Sequence, residues 1–173
     1  MTPAAQGPRI GVDVGSVRVG VAMSDRDGVL ATPVATLRRD PDTAVSPGDA
    51  DVEQITALVS EHGAVAVVVG LPVTLAGVEG SAAQRARTYA SVLAARVAPV
   101  PVRLVDERLS TVDAHRALRE SGVAGRRQRA VVDQAAAVLI LQSALDAERA
   151  SGSPPGEPVG GRRRKPRTKG RRT

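Results

Sequence analysis

Three carboxylates sit where the chain could support chemistry: Asp13, Glu107 and Asp133. Asp13 lies in RIGVDVG, whose period-two alternation sends Ile10, Val12 and Val14 one way and Gly11, Asp13 and Gly15 the other. The two glycines leave a backbone-lined clearing around the carboxylate, which a metal ion or phosphate could approach. Its plainer role is a hydrogen bond to the adjoining turn. Glu107 stands just beyond the apolar segment PVRLV, between Asp106 and Arg108. Ligands of α/β sheets bind past the carboxyl ends of strands, so the address is favourable. On position alone, a solvated loop charge paired with an arginine accounts for Glu107 better. Asp106 and Glu107 point in different directions if the strand persists, so one of them faces the site. Asp133 is embedded in VVDQAAAVLILQ, which is aliphatic apart from Asp133, Gln134 and Gln142. A buried carboxylate there is costly unless something pairs with it. Either Asp133 is a first-turn acid satisfied by free backbone N–H groups, or the helix starts earlier and the acid faces the sheet. A cation is the simplest compensation in the second case.

The chemistry open to three acids is narrow, because the chain has no Cys and only two His. Disulfides, thiolate chemistry and Cys-ligated zinc or iron–sulfur centres are excluded. Oxygen ligands with open coordination positions suit Mg²⁺ or Mn²⁺. Two such ions can clamp a phosphodiester, activate a water and stabilise the leaving oxygen. Asp13, Glu107 and Asp133 are then ligands, not nucleophiles. Arg18 and Arg108 could position substrate phosphates or stabilise developing charge; pairing with nearby acids at the surface explains each of them singly. Tyr89 is the one aromatic residue, so nucleic acid would be handled through charge, backbone and metal rather than by base stacking.

The formal charge of +6 is unevenly placed. Residues 161–173 carry six Arg and two Lys without an acid, leaving −2 on the remainder. SGSPPGEPVG, before that tail, is rich in Gly, Pro and Ser. The expected organisation is a flexible N-terminus over 1–8, one folded domain over 9–149 and a disordered basic arm over 150–173. The arm is either a non-specific phosphate-binding appendage or a solubilising tail. No apolar run approaching a membrane span and no signal pattern is apparent, so a cytoplasmic protein without a membrane partner is expected.

The elements that must position the acids follow from periodicity. RIGVDVG and GVAMS read as a hairpin turning near Ser16 to Arg18, and VLATPVATL as a third strand. DVEQITALVSEHG has helical spacing and stops at Gly63. AVAVVVGLP reads as a central parallel strand, and SAAQRARTYASVLAARV as a helix from Ser81. After PVRLV and DERLST, a helix is expected over TVDAHRALRESG, and a last one around VVDQAAAVLILQSALDAERA. The sum is an α/β fold: a mixed five-stranded sheet, antiparallel over its first three strands and parallel after, with helices on both faces.

DVGSVRVGVAMSD, VVVGLPVTLAGVEGSAAQRARTYA, DERLSTVDA and VVDQAAAVLILQ, in this order, resemble the successive motifs of the YqgF/RuvX family. The likeness runs from about Ile10 to Leu145. It implies an RNase H-like fold and a metal-dependent nuclease whose acids fall on Asp13, Glu107 and Asp133. Family members are described as nucleases that process the 5′ end of precursor 16S rRNA or as Holliday junction resolvases. The expected partner is therefore structured RNA first and branched DNA second, for a monomer or a homodimer. VTLAG departs from the family pattern, which carries Asn or Asp before the glycine. Tyr89 stands for a usual Phe. Where many members have a Lys shortly before the last Asp, this chain has Arg129, a third candidate for substrate binding. Two readings compete. The first motif also resembles a phosphate loop of actin-like ATPases, for which the chain is short. A non-catalytic nucleic-acid-binding module would have no need of three acids. Asp25 and Asp106 remain candidates to assist.

Overall fold

The computed structural model describes residues 6–109 and 126–160, with the backbone alone for 126–129. The helix expected over 111–122 and the basic run over 161–173 lie outside the described residues, as does the side chain of Arg129. The chain runs β1 (Arg9–Val14), β2 (Arg18–Ser24), β3 (Ala31–Arg38), α1 (Ala50–His62), β4 (Ala66–Leu71), α2 (Ser81–Val97) and β5 (Val102–Asp106). A single 3₁₀ turn, Glu107–Leu109, follows β5; then come α3 (Arg126–Ser151) and β6 (Glu157–Pro158).

The strands form one sheet in the order β3-β2-β1-β4-β5-β6. β1–β2 and β2–β3 pair antiparallel, while β1–β4 and β4–β5 pair parallel. This is the antiparallel start and parallel continuation that the sequence predicts, on an RNase H-like α/β plan. Alternation sorts the strands between two cores. Ile10, Val12, Val19, Val21, Val67 and Val69 face α1 and α2, packing with Ile55, Tyr89 and Leu93. Ala22, Ala31, Val68 and Val105 face α3, where Ala137, Ile140, Leu141, Ala144 and Leu145 close over them. β3 is one edge strand; Pro33, which has no N–H to offer the ladder, sits at a bulge opposite Val21 and Ala22.

One expectation needs correction. The sheet has six strands, not five, because residues 152–160 do not leave the domain at position 150. α3 ends at Ser151, the chain turns at Gly152 and Gly156, and β6 pairs antiparallel with the edge of β5. Arg103 donates to the carbonyls of Pro155 and Gly156, both at 2.6 Å, and the Val159 N–H donates to Val102 O at 2.9 Å. The Pro and Gly residues that read as unfoldable supply the turn, and the strand they deliver covers an otherwise open sheet edge. Ala130–Ser151 is long and apolar enough, by length and composition, to cross a membrane. One face of that helix is the lid of the second core.

Candidate active site

The helix start decides between the two readings of Asp133. α3 is helical from Arg126, so Asp133 lies two turns inside it and is no first-turn acid. Its Oδ2 accepts from Arg18 Nε at 2.6 Å, with side-chain exposures of 24% and 28%. A half-buried, charge-assisted pair of this kind offsets the cost of placing a carboxylate on an apolar helix. The compensating cation is therefore, in the first instance, a guanidinium from the start of β2.

The acids are set over three neighbouring strands. Asp13 on β1 is the register partner of Gly20 on β2. A Cβ at Gly20 would stand 2.1 Å from the Asp133 carbonyl oxygen, so α3 rests directly on β2 there. On the other side, Val12 pairs with Val69, which carries Asp13 alongside Gly70 of β4. A Cβ at Gly70 would stand 3.1 Å from Glu107 Oε1, so the Glu107 carboxylate leans back over β4 from the turn after β5. Neighbouring strands are about 4.8 Å apart. Asp13 is thus flanked, one strand to each side, by the backbone of Asp133 and the carboxylate of Glu107, all on the α3 face of the sheet.

The glycines around Asp13 have a purpose other than the one read from sequence. A Cβ at Gly11 would meet Leu141 Cβ at 2.6 Å, and one at Gly15 would meet the Arg18 carbonyl oxygen at 2.6 Å. The missing side chains admit α3 and the hairpin turn, and it is this close approach that brings Asp133 to the sheet.

The candidates beside the acids divide. Asp106 and Arg108 hold each other: the Arg108 N–H and Nε donate to Oδ1 at 2.9 and 3.0 Å, and Nη2 donates to Oδ2 at 2.5 Å. The Arg108 side chain beside it holds the Asp106 carboxyl below its ordinary value. Glu107, not Asp106, is the acid over the sheet. Asp25 accepts from the backbone of Val29 and Leu30 at 2.6 and 2.9 Å in the β2–β3 turn, at the other end of the strands. Those bonds lower its pKa and make it a turn residue.

Sequence reading missed the supports. Thr36 Oγ1 donates to Ala130 O at 2.7 Å, fastening the first half of α3 to β3. Arg39 Nη1 donates to Gly15 O at 3.2 Å, and its guanidinium lies 5.5 Å from the centroid of the Tyr89 ring. Tyr89 is fully buried and donates to Asp51 at 2.9 Å; burial and the neighbouring Asp51 carboxylate push its pKa up. Motif spacing carries no sign of these cross-strand contacts.

The donor set suits a hard divalent cation, being all oxygen and placed on one face at one end of the sheet. Among the described residues, no group of three acids has converged closely enough to hold an ion.

Comparison with known proteins agrees with the topology. The sequence model of a family described as "RuvX: Holliday junction resolvase" matches residues 7–147. A Frankia casuarinae protein is 59% identical over 146 residues, covering 84% of this chain and 70% of its own. One from Mycobacterium sp. (strain KMS) is 59% identical over 152 residues, covering 88% and 87%. Both bear the name "Putative pre-16S rRNA nuclease". Among solved structures, Thermus thermophilus RuvC in complex with a Holliday junction substrate superposes with a TM-score of 0.52 at 18% identity, covering 88% of this chain and 99% of that one; this is a likeness of fold. With the family match spanning most of the chain and sequence relatives this close, the protein belongs to the RuvX family.

Proposed function

We propose that this RuvX-family nuclease hydrolyses phosphodiester bonds at the 5′ end of precursor 16S rRNA, using Asp13, Glu107 and Asp133 to hold Mg²⁺ or Mn²⁺. The observation that carries the reading is the row of Asp133, Asp13 and Glu107 over β2, β1 and β4. The name shared by the sequence relatives supports RNA as the substrate. When bound, the divalent ion supplies Lewis acidity toward the phosphoryl oxygens and a more acidic water.

The chain's own residues set the rest. α3 delivers Asp133 from an apolar helix whose Ile140 and Leu141 are buried on the sheet, so the carboxylate is held by packing, not by a loop. Arg18 orients Asp133 through its Nε, and its remaining N–H groups would be free to take a phosphate oxygen. Arg108, fixed by Asp106, presents a guanidinium beside Glu107 that can take a neighbouring phosphate. Arg129 belongs to the same end of α3 and would add charge there.

The family description favours branched DNA as a second reading. A 5′-extended rRNA end, a four-way DNA junction and a plain duplex, offered at one salt concentration with Mg²⁺ or Mn²⁺, distinguish the two. Cleavage of the rRNA end alone supports the proposal; cleavage of the junction alone overturns the RNA assignment. Salt must be fixed because a basic tail binds all three through counterion release.

A further inference from the structure

β3 leads into two consecutive arginines, and the strand separates their tasks. Arg39 is committed to the frame: its N–H donates to Val17 O at 2.9 Å, and its guanidinium bonds Gly15 O and lies over buried Tyr89. Arg38 is the register partner of Arg18. Alternation along β3 puts Leu37 in the core with α1 and α2, and Thr36 against Ala130 of α3. Arg38 therefore shares the α3 face with Arg18 and the acids. Residues directly opposite on antiparallel strands have Cβ atoms about 5 Å apart, and like charges so placed repel each other. Arg18 has its Nε on Asp133. Arg38 is exposed, and no ion pair joins it to an acid among the described residues. The two arginines are register partners at the edge of the acid row, one bonded to Asp133 and the other exposed, and together they would favour an anion there.

We propose that Arg38 is a phosphate-binding residue of this nuclease, taking a backbone phosphate of the nucleic acid on the β3 side of the acids. The inference rests on the nuclease reading and adds a direction to it: the strand lies across the end of the sheet from Glu107, past Asp13, toward β3. Planar Arg N–H groups match two phosphate oxygens, which a lysine at the same place does only as a point charge.

The same hairpin provides a control. Arg26 is exposed in the β2–β3 turn, at the end of the strands away from the acids. The full-length Asp13→Asn chain, alone and with Arg38→Ala, Arg38→Lys or Arg26→Ala added, is titrated against a fluorescein-labelled, 5′-extended rRNA-end oligonucleotide over a range of salt. Arg38→Ala is expected to weaken binding about tenfold at low ionic strength and to flatten the slope of log K against log salt by about 0.7 to 0.9. Arg38→Lys should restore the slope but not the full affinity, and Arg26→Ala should change neither. In the cleaving chain Arg38→Ala should raise KM by a larger factor than it lowers kcat. Equal effects of Arg38→Ala and Arg26→Ala would overturn the assignment, as would an unchanged salt slope. Failure of the nuclease reading looks different: the otherwise wild-type chain would cleave nothing with either divalent ion, whatever the binding slopes.

Discussion

At the residue scale the central pair is Arg18 and Asp133. Both side chains keep about a quarter of their surface in water, so their coupling is expected to be modest. A double-mutant cycle on Arg18→Ala and Asp133→Asn, read by urea denaturation, should give about 1 kcal/mol. Activity should respond far more strongly than stability. Asp106 and Arg108 give a second test, with a definite sign. The carboxyl is held below its ordinary value by Arg108, so the stabilisation is full above the unfolded pKa of about 3.9 and fades as pH falls through the lower folded value. Asp106→Asn should therefore lower the neutral plateau slightly, leave the stability in strong acid nearly unchanged, and so reduce the part of the stability that acid removes. At this scale the sequence was partly legible. The acids stand out because carboxylates next to glycines or inside aliphatic runs are conspicuous. The partners do not, because Arg18 and Asp133 are 115 positions apart and only the fold brings them together.

At the element scale, the descent of α3 onto the sheet is what makes a site of separate acids, and glycines make that descent possible. Gly20→Ala would drive a Cβ into the Asp133 carbonyl at 2.1 Å, backbone against backbone. It should cost about 3 kcal/mol or more and lift the whole start of α3. Gly70→Ala meets the Ile140 Cδ1 tip at 2.5 Å and Glu107 Oε1 at 3.1 Å. The Ile140 tip can yield, so the cost should be about 1 kcal/mol, with a larger loss of cleavage as Glu107 is pushed aside. Denaturation and cleavage measured on both variants should rank them in opposite orders per unit of stability lost. The strands and the first two helices were readable because their period-two and helical patterns are unbroken. β6 was not, since two residues between glycines and prolines carry no periodicity; its strand character comes from the open edge of β5 and from Arg103.

At the scale of the whole molecule, the charge and the chemistry reside in different parts. Residues 13–133 carry the three acids, and residues 161–173 carry a charge of +8. Removing 161–173 should flatten the salt dependence of nucleic-acid binding without altering the denaturation midpoint. Removing 152–173 should also lower that midpoint, because it strips β6 from β5 and leaves the edge uncovered. The central claim is that Asp13, between Asp133 and Glu107, serves hydrolysis and not the fold. The most direct measurement is the single-turnover cleavage rate of a 5′-extended rRNA end by the wild-type chain and by Asp13→Asn, with saturating Mn²⁺ and matched denaturation curves. The expected result is a loss of at least about a hundredfold in rate with an unchanged unfolding midpoint. Cleavage by Asp13→Asn at the wild-type rate would contradict it.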